Sequence, residues 1–182
     1  LRIGKEYINE IIALAPKKQF IIDKLPQNFI FIGIIKLFLP NAKIIHSART
    51  AEDTCLSIFR TNFKAGYKYT DNLAEIGKYY RLYLDLISHW NNVFPGDIYN
   101  CQYEKLISNQ EKETKKLLAY CGLGWNESCL NFHKTKRDVK TASNYQVRQP
   151  IYKSSVGYWK EFEKQLQPLI TALEDMSSAP NL

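Results

Sequence analysis

Residues 42–60 constrain this chain more than any other stretch. The short apolar run Ile44-Ile45 breaks into His46-Ser47-Ala48-Arg49, and a helical pattern follows with Cys55, Leu56, Ile58 and Phe59 as its apolar members. That order reads as a buried strand, a tight turn and a helix. Thr50 with Asp53 three positions on has capping-box spacing, which predicts that Arg49 sits on the turn itself, beside the unpaired backbone donors of the helix start. Such a helix end favours anions. Ser57 shares a side with Asp53 and Arg60 at helical spacing, so a ligand crossing the turn would meet Arg49 and Ser57 together. The competing reading pairs Arg49 with Glu52 or Asp53 and leaves Ser57 on a solvated face.

The flanking pattern predicts how the turn is framed. Ile3, Tyr7, Ile8, Ile11, Ile12 and Leu14 recur at helical spacing until Pro16. Gln19-Phe20-Ile21-Ile22 reads as a strand, and Asp23-Lys24-Leu25-Pro26 leads the chain out of it. Lys24 is then at or just past a strand's C-terminal end, where open α/β sheets bind ligands, or it is simply a solvated loop lysine. Asn28 is placed to cap a helix through Leu39, which Pro40 stops. Strand, helix, strand, helix argues for a parallel sheet with crossover helices.

Beyond a polar, aromatic-dotted loop at 62–70, Asp71 or Asn72 opens a long helix. Leu73, Ile76, Tyr79, Tyr80, Tyr83, Leu84, Ile87 and Trp90 line one of its faces, a packing stripe rather than a binding surface. Pro95-Gly96 marks a turn before a strand at 98–103, and a helix near 111–120 ends with Gly122 as its C-cap. Trp125, Leu130 and Phe132 dock a short helix. A last helix at 157–173 buries Trp159, Phe162, Leu166, Leu169, Ile170 and Leu173, and residues 177–182 are expected to fray.

Charge narrows the partner but does not choose it. The formal net charge of +7 over 182 residues suggests an anionic partner. Lys134, Lys136, Arg137 and Lys140 precede Thr141-Ala142-Ser143, and Arg148 and Lys153 extend the cluster past it. With little periodicity, this reads as a loop wrapped over something negative or as a solvated basic loop. The length suits one domain, taken as residues 1–176. No apolar run approaches the roughly 20 residues that span a bilayer. Cys55, Cys101, Cys121 and Cys129 show no metal-site spacing and read as reduced thiols of a cytoplasmic protein. The chain contains no GxGxxG, GxxxxGK[ST] or HExxH motif, and His46, His89 and His133 have no triad partner nearby in sequence. His46, ending a strand, either lines the site or is a satisfied structural histidine.

Five stretches together resemble the sulfotransferases that use 3′-phosphoadenosine-5′-phosphosulfate. They are Asp23-Lys24-Leu25-Pro26-Gln27-Asn28-Phe29, Pro40-Asn41-Ala42-Lys43-Ile44-Ile45-His46, Arg49 with Ser57, Tyr103-Glu104-Lys105-Leu106, and the twelve-residue run from Thr141 to Tyr152. Their order and spacing are most similar to bacterial sulfotransferase domains that often accompany tetratricopeptide repeats, and to tyrosylprotein sulfotransferases. The likeness runs from about Tyr7 to Leu173.

The resemblance implies an α/β fold of three layers, a central parallel sheet flanked by helices as in P-loop NTPases. It makes Arg49 and Ser57 the pair that holds the 3′-phosphate, and Lys24 the lysine that touches the bridging and sulfuryl oxygens. Ser143 assists that lysine and also binds the nucleotide, with Gln146, Arg148 and Tyr152 in the covering loop and Tyr103 at the cofactor site. The co-substrate is the phosphosulfate donor and the acceptor carries a hydroxyl; no metal, nucleic acid or membrane is implied. Sulfuryl transfer, like phosphoryl transfer, needs positioning, charge stabilisation and a base for the acceptor's proton. Gly157-Tyr158-Trp159-Lys160 resembles the helix start that follows the loop.

Two features depart from the family. The Pro-x-Ser-Gly-Thr-Thr type of phosphosulfate loop, and the glutamate that follows it in tyrosylprotein relatives, have no match in these residues, so the chain is expected to be the C-terminal portion of such a domain. Where those relatives have a second arginine, this chain has Thr61, with Arg60 one position earlier. Two alternatives stay open: a basic nucleotide- or nucleic-acid-binding module using the 134–153 cluster, and a kinase-like phosphotransferase, against which the missing Walker lysine counts.

Overall fold

The computed structural model describes residues 2–14, 16–61, 67–135 and 146–174. Its elements are α1 (Arg2–Leu14), α2 (Ile32–Phe38), β1 (Ile44–Ala48), α3 (Ala51–Arg60), α4 (Leu73–Val93), β2 (Ile98–Gln102), α5 (Tyr103–Ser108), α6 (Gln110–Cys121) and α7 (Gln167–Glu174), with short 3₁₀ turns between them. The architecture is mostly helical around a small parallel sheet. Among the described residues that sheet has two strands, β1 and β2, with Ile44 opposite Ile98 and His46 opposite Asn100.

Strand alternation decides what covers each face. Ile44 and Ile98 point toward α2 and α4, where they join Ile32 and Ile87 with Phe29, Trp90 and Phe94 packed alongside. On the other face Tyr99 meets Tyr120 of α6, ring centroids 5.2 Å apart. A second core lies farther along α4, where Cys55 and Leu56 of α3, Ile76 and Tyr80 of α4, and Leu166 and Leu169 close together. The 21-residue α4 is therefore the spine both cores share. Gly77 makes the α4–α7 contact possible, since a Cβ there would lie 2.8 Å from the Ala172 methyl and 3.2 Å from the Leu169 carbonyl oxygen.

Several boundaries follow the local chemistry. Asn72 caps α4 by accepting the Glu75 N–H at 3.1 Å. Gly122, at φ +70°, closes α6 with bonds from its own N–H and that of Leu123 to carbonyls of the last turn. No helix among the described residues is long and apolar enough to cross a membrane.

Four expectations are corrected. Residues 19–22 form no strand; with Phe20 and Ile22 exposed, the segment has no neighbouring strand among the described residues to bond to. Asn28 does not cap a helix: Pro26 starts a 3₁₀ turn at Pro26–Phe31, and the Asn28 N–H donates to the Leu25 carbonyl at 3.0 Å. The last helix is not continuous from 157, because Pro168 lacks an N–H and its ring cannot follow an unbroken turn. A 3₁₀ turn, Tyr158–Phe162, precedes α7 instead. Finally, Thr50 and Asp53 form no capping box, since the Thr50 side chain makes no capping bond to the helix. The expected tail at 177–182 lies outside the described residues.

Candidate functional site

β1 delivers the chain into the turn at Arg49 and Thr50, and α3 carries it away. Three elements hold that turn. From α4, the Tyr80 hydroxyl donates to the Arg49 carbonyl at 3.0 Å. From α5, Glu104 Oε1 accepts the Thr50 N–H at 2.9 Å. From α3, Asp53 Oδ2 accepts the Thr50 hydroxyl at 3.1 Å. In a capping box the third helical residue would accept the Thr50 N–H. Here Glu104 has taken that donor, and Asp53, only 2% exposed, is turned inward instead.

The Arg49 side chain is built into a contact set of its own. Its guanidinium lies over the Tyr103 ring, 5.2 Å from the centroid, and Nη2 donates to the Ser155 carbonyl. Nη2 is also 3.7 Å from Asp53 Oδ2. The Tyr103 and Ser155 hydroxyls are 3.2 Å apart. Arg49 Nε is buried with no hydrogen-bond partner among the described residues. A buried donor without a partner costs on the order of 1–3 kcal/mol, so it marks a place where an acceptor would be welcome.

The other predicted residues are placed less tightly. Ser57 is exposed on α3, two turns from Arg49. Lys24 is exposed as well, next to Asp23, whose carboxylate accepts the Tyr7 hydroxyl and ties the segment to α1. Arg148, which ends the 3₁₀ turn at Gln146–Arg148, and Tyr152 beyond it are both exposed. Ser143 and the Gln146 side chain lie outside the described residues, as do Lys136, Arg137 and Lys140. The structure thus brings Arg49 and Tyr103 together. Sequence reading did not single out Ser155, placed Tyr80 only in a packing stripe and Glu104 only in a family-like stretch, and saw Asp53 as a cap or as an ion-pair partner of Arg49; the contacts join residues far apart in the chain, which spacing does not reveal.

Burial shapes the protonation of the surroundings. Burial foremost, with the Glu52 charge adding to it, pushes the Cys55 thiol from its ordinary 9.0 to about 12. Burial likewise raises the Tyr80 and Tyr83 hydroxyls. Tyr7 is raised first by donating to Asp23, which favours its neutral form. His46 has both ring nitrogens engaged: Nδ1 faces Asn100 Oδ1 at 2.7 Å and Nε2 meets the Tyr83 hydroxyl. It is a satisfied histidine. The four cysteines are all unpaired with one another, and Cys55 is fully buried.

Comparison with known proteins gives the arrangement a context. Residues 3–127 match the family described as the sulfotransferase family. An uncharacterized protein of Aquifex aeolicus (strain VF5) is 39% identical over 172 residues, covering 93% of this chain and 23% of its own length. A Caenorhabditis briggsae protein, provisionally named a protein-tyrosine sulfotransferase, is 27% identical over 133 residues, 70% of this chain and 46% of that protein. The chain therefore spans less than half the length of each of these relatives. Lys24, Arg49, Ser57 and Tyr103 fall inside the family match; the 143–152 segment falls after it.

Proposed function

The chain belongs to the sulfotransferase family, and on that premise we propose that it transfers a sulfuryl group from 3′-phosphoadenosine-5′-phosphosulfate to a hydroxyl acceptor. One observation carries the reading: within the family match, Arg49 sits on a strand-to-helix turn, its guanidinium over the Tyr103 ring, with a buried Nε–H that has no partner among the described residues. A planar guanidinium with an open donor suits a phosphate, which accepts along several directions. Burial strengthens that attraction relative to water.

In this reading Arg49, Ser57 and Tyr103 hold the 3′-phosphate end of the nucleotide. Gln146, Arg148, Tyr152 and Ser143 cover it. Lys24 and Ser143 face the reacting end, where the acceptor oxygen bonds to sulfur as the bond from sulfur to the phosphate oxygen breaks. Negative charge moves onto that leaving oxygen, and Lys24 is suited to balance it. The acceptor's proton goes to a base. Residues 1–176 form one domain of the three-layer kind, a reading supported by a parallel pair of strands with helices against both faces. The relative named for protein tyrosine makes a tyrosine-containing peptide the first acceptor to try.

The test is calorimetric binding of 3′-phosphoadenosine-5′-phosphate, with ATP and a DNA duplex as controls. Selective binding that falls about tenfold to a hundredfold in Arg49→Ala is expected, the loss of one charge-assisted contact set. Binding that prefers DNA, declines steeply with salt and ignores Arg49→Ala would favour a basic nucleic-acid module. Preference for ATP would favour a phosphotransferase.

A further inference from the structure

Asp53 carries more of this site than its place in α3 requires. Asp53 is 2% exposed, and its carboxylate accepts two donors from one distant segment of the chain. Oδ2 takes the Gly157 N–H at 2.7 Å and Oδ1 takes the Trp159 N–H at 3.1 Å, across 104 and 106 residues of sequence. Oδ2 also accepts the Thr50 hydroxyl and lies 3.7 Å from Arg49 Nη2. The carboxylate is thus a junction of the arginine turn, the first turn of α3 and the segment at 155–159.

What it fastens matters as much as how. Arg49 Nη2 bonds to the Ser155 carbonyl, and the Ser155 hydroxyl meets Tyr103. Gly157 enters the next 3₁₀ turn in the left-handed region at φ +71°, a conformation a glycine adopts without the usual steric cost. The Gly157 and Trp159 amides are therefore held at a bend just after Ser155, the residue that faces both Arg49 and Tyr103. Asp53 is available for this only because Glu104 satisfies the Thr50 N–H in its place.

We infer that Asp53 is a positioning residue: it pins the 155–159 segment against the arginine turn, so that Arg49 is aimed with its Nε–H left over for the nucleotide's 3′-phosphate. The acid does not touch the ligand. Two backbone amides and a hydroxyl donate to it, the guanidinium stands 3.7 Å away and the side chain is 1% exposed, so its charge is directed into the protein rather than toward an anion. The ligand part of this inference rests on the donor reading above; the fastening part does not.

Asp53→Asn separates the two. The amide keeps the size but has one acceptor oxygen for two backbone donors, so one of Gly157 and Trp159 must lose its partner. Three readouts are taken on the chain as it is. Amide hydrogen exchange at Gly157 and Trp159 is expected to be at least tenfold slower than at 152–154 in the native chain, and to accelerate in the variant. Affinity for 3′-phosphoadenosine-5′-phosphate is expected to fall at least tenfold, while affinity for adenosine 5′-phosphate, which lacks the 3′-phosphate, stays within twofold. A merely structural role would weaken both nucleotides alike or neither, and that result would overturn the positioning claim. Unchanged exchange at both amides in the variant would overturn the fastening. If the variant does not fold, the native chain still decides: fast exchange at Gly157 and Trp159 refutes the fastening and slow exchange supports it. Native chain that binds neither nucleotide selectively, yet shows the exchange pattern, would remove the donor reading and keep the fastening.

Discussion

Arg49 and Lys24 are two cations expected at one site, and the structure treats them oppositely. The backbone at Arg49 and Thr50 is gripped by Tyr80, Glu104 and Asp53, and the side chain lies against Tyr103 and Ser155. Lys24 sits exposed on a segment tied down by Asp23 to Tyr7 and by a Pro26-initiated turn. The guanidinium therefore has its entropy of ordering settled by the fold, whereas the lysine must lose up to about 2 kcal/mol of rotamer freedom when something fixes it. A site for a nucleotide can use both kinds. The rigid end selects a ligand by geometry, and the free end follows charge that develops during reaction.

The largest difference should be in the supports beneath the two cations. Leu169 is wholly buried in the core under α3 and α4, while Ile22, beside Lys24, is 90% exposed. Leu169→Ala is expected to cost about 2–5 kcal/mol in urea unfolding, against less than about 0.5 kcal/mol for Ile22→Ala. Equal costs would mean that the Lys24 segment is packed in solution, and the contrast would collapse.

Alkaline pH should reach the arginine turn next. Cys55 and Tyr80 lie in the core below it, and both are acids whose neutral form the fold favours, Cys55 up to about 12 from 9.0. The folded state then holds protons that the unfolded state gives up. Their stabilising contribution is complete below about pH 9 and declines as pH rises toward the folded values, by about 1.4 kcal/mol per pH unit for each group at most. Unfolding free energy should fall between pH 9 and 11, and Cys55→Ala should flatten part of that slope. A stability profile that stays level to pH 11 would contradict the burial of these two groups.

The sequence disclosed the parts of this contrast that depend on near neighbours. The strand, turn and helix around Arg49 were legible because a run of two isoleucines, a polar break and a helical apolar stripe all lie within 42–60. Gly122 was legible as a cap for the same reason, and the start of α4 was narrowed to Asp71 or Asn72, since each acts on its own helix end. Residues 19–22 misled because an apolar run says nothing about whether a neighbouring strand is there to pair with it. Asp53 misled in the opposite sense: its spacing from Thr50 announced a local cap, but Glu104 arrives from another helix and frees it for amides more than a hundred residues away. Three-residue spacing cannot encode that exchange, and Ser155 was hidden for the same reason.

The finest comparison uses one hydroxyl from each region. The Tyr80 hydroxyl donates to the Arg49 carbonyl in a part-buried setting, and the Tyr7 hydroxyl donates to Asp23 at the exposed surface. Removing the first leaves a carbonyl short of a partner where water reaches it poorly; removing the second leaves a carboxylate that water can serve at once. Tyr80→Phe is therefore expected to cost about 1–3 kcal/mol and Tyr7→Phe less than about 1 kcal/mol. A second readout belongs to Tyr7 alone. Its hydroxyl titrates above the ordinary 10.0 chiefly because it donates to Asp23, so Asp23→Asn should bring its ultraviolet titration back toward that value. If instead Tyr7→Phe proved as costly as Tyr80→Phe, Asp23 would be clamped as firmly as Arg49, and Lys24 would belong to a second rigid wall of the site rather than to its free end.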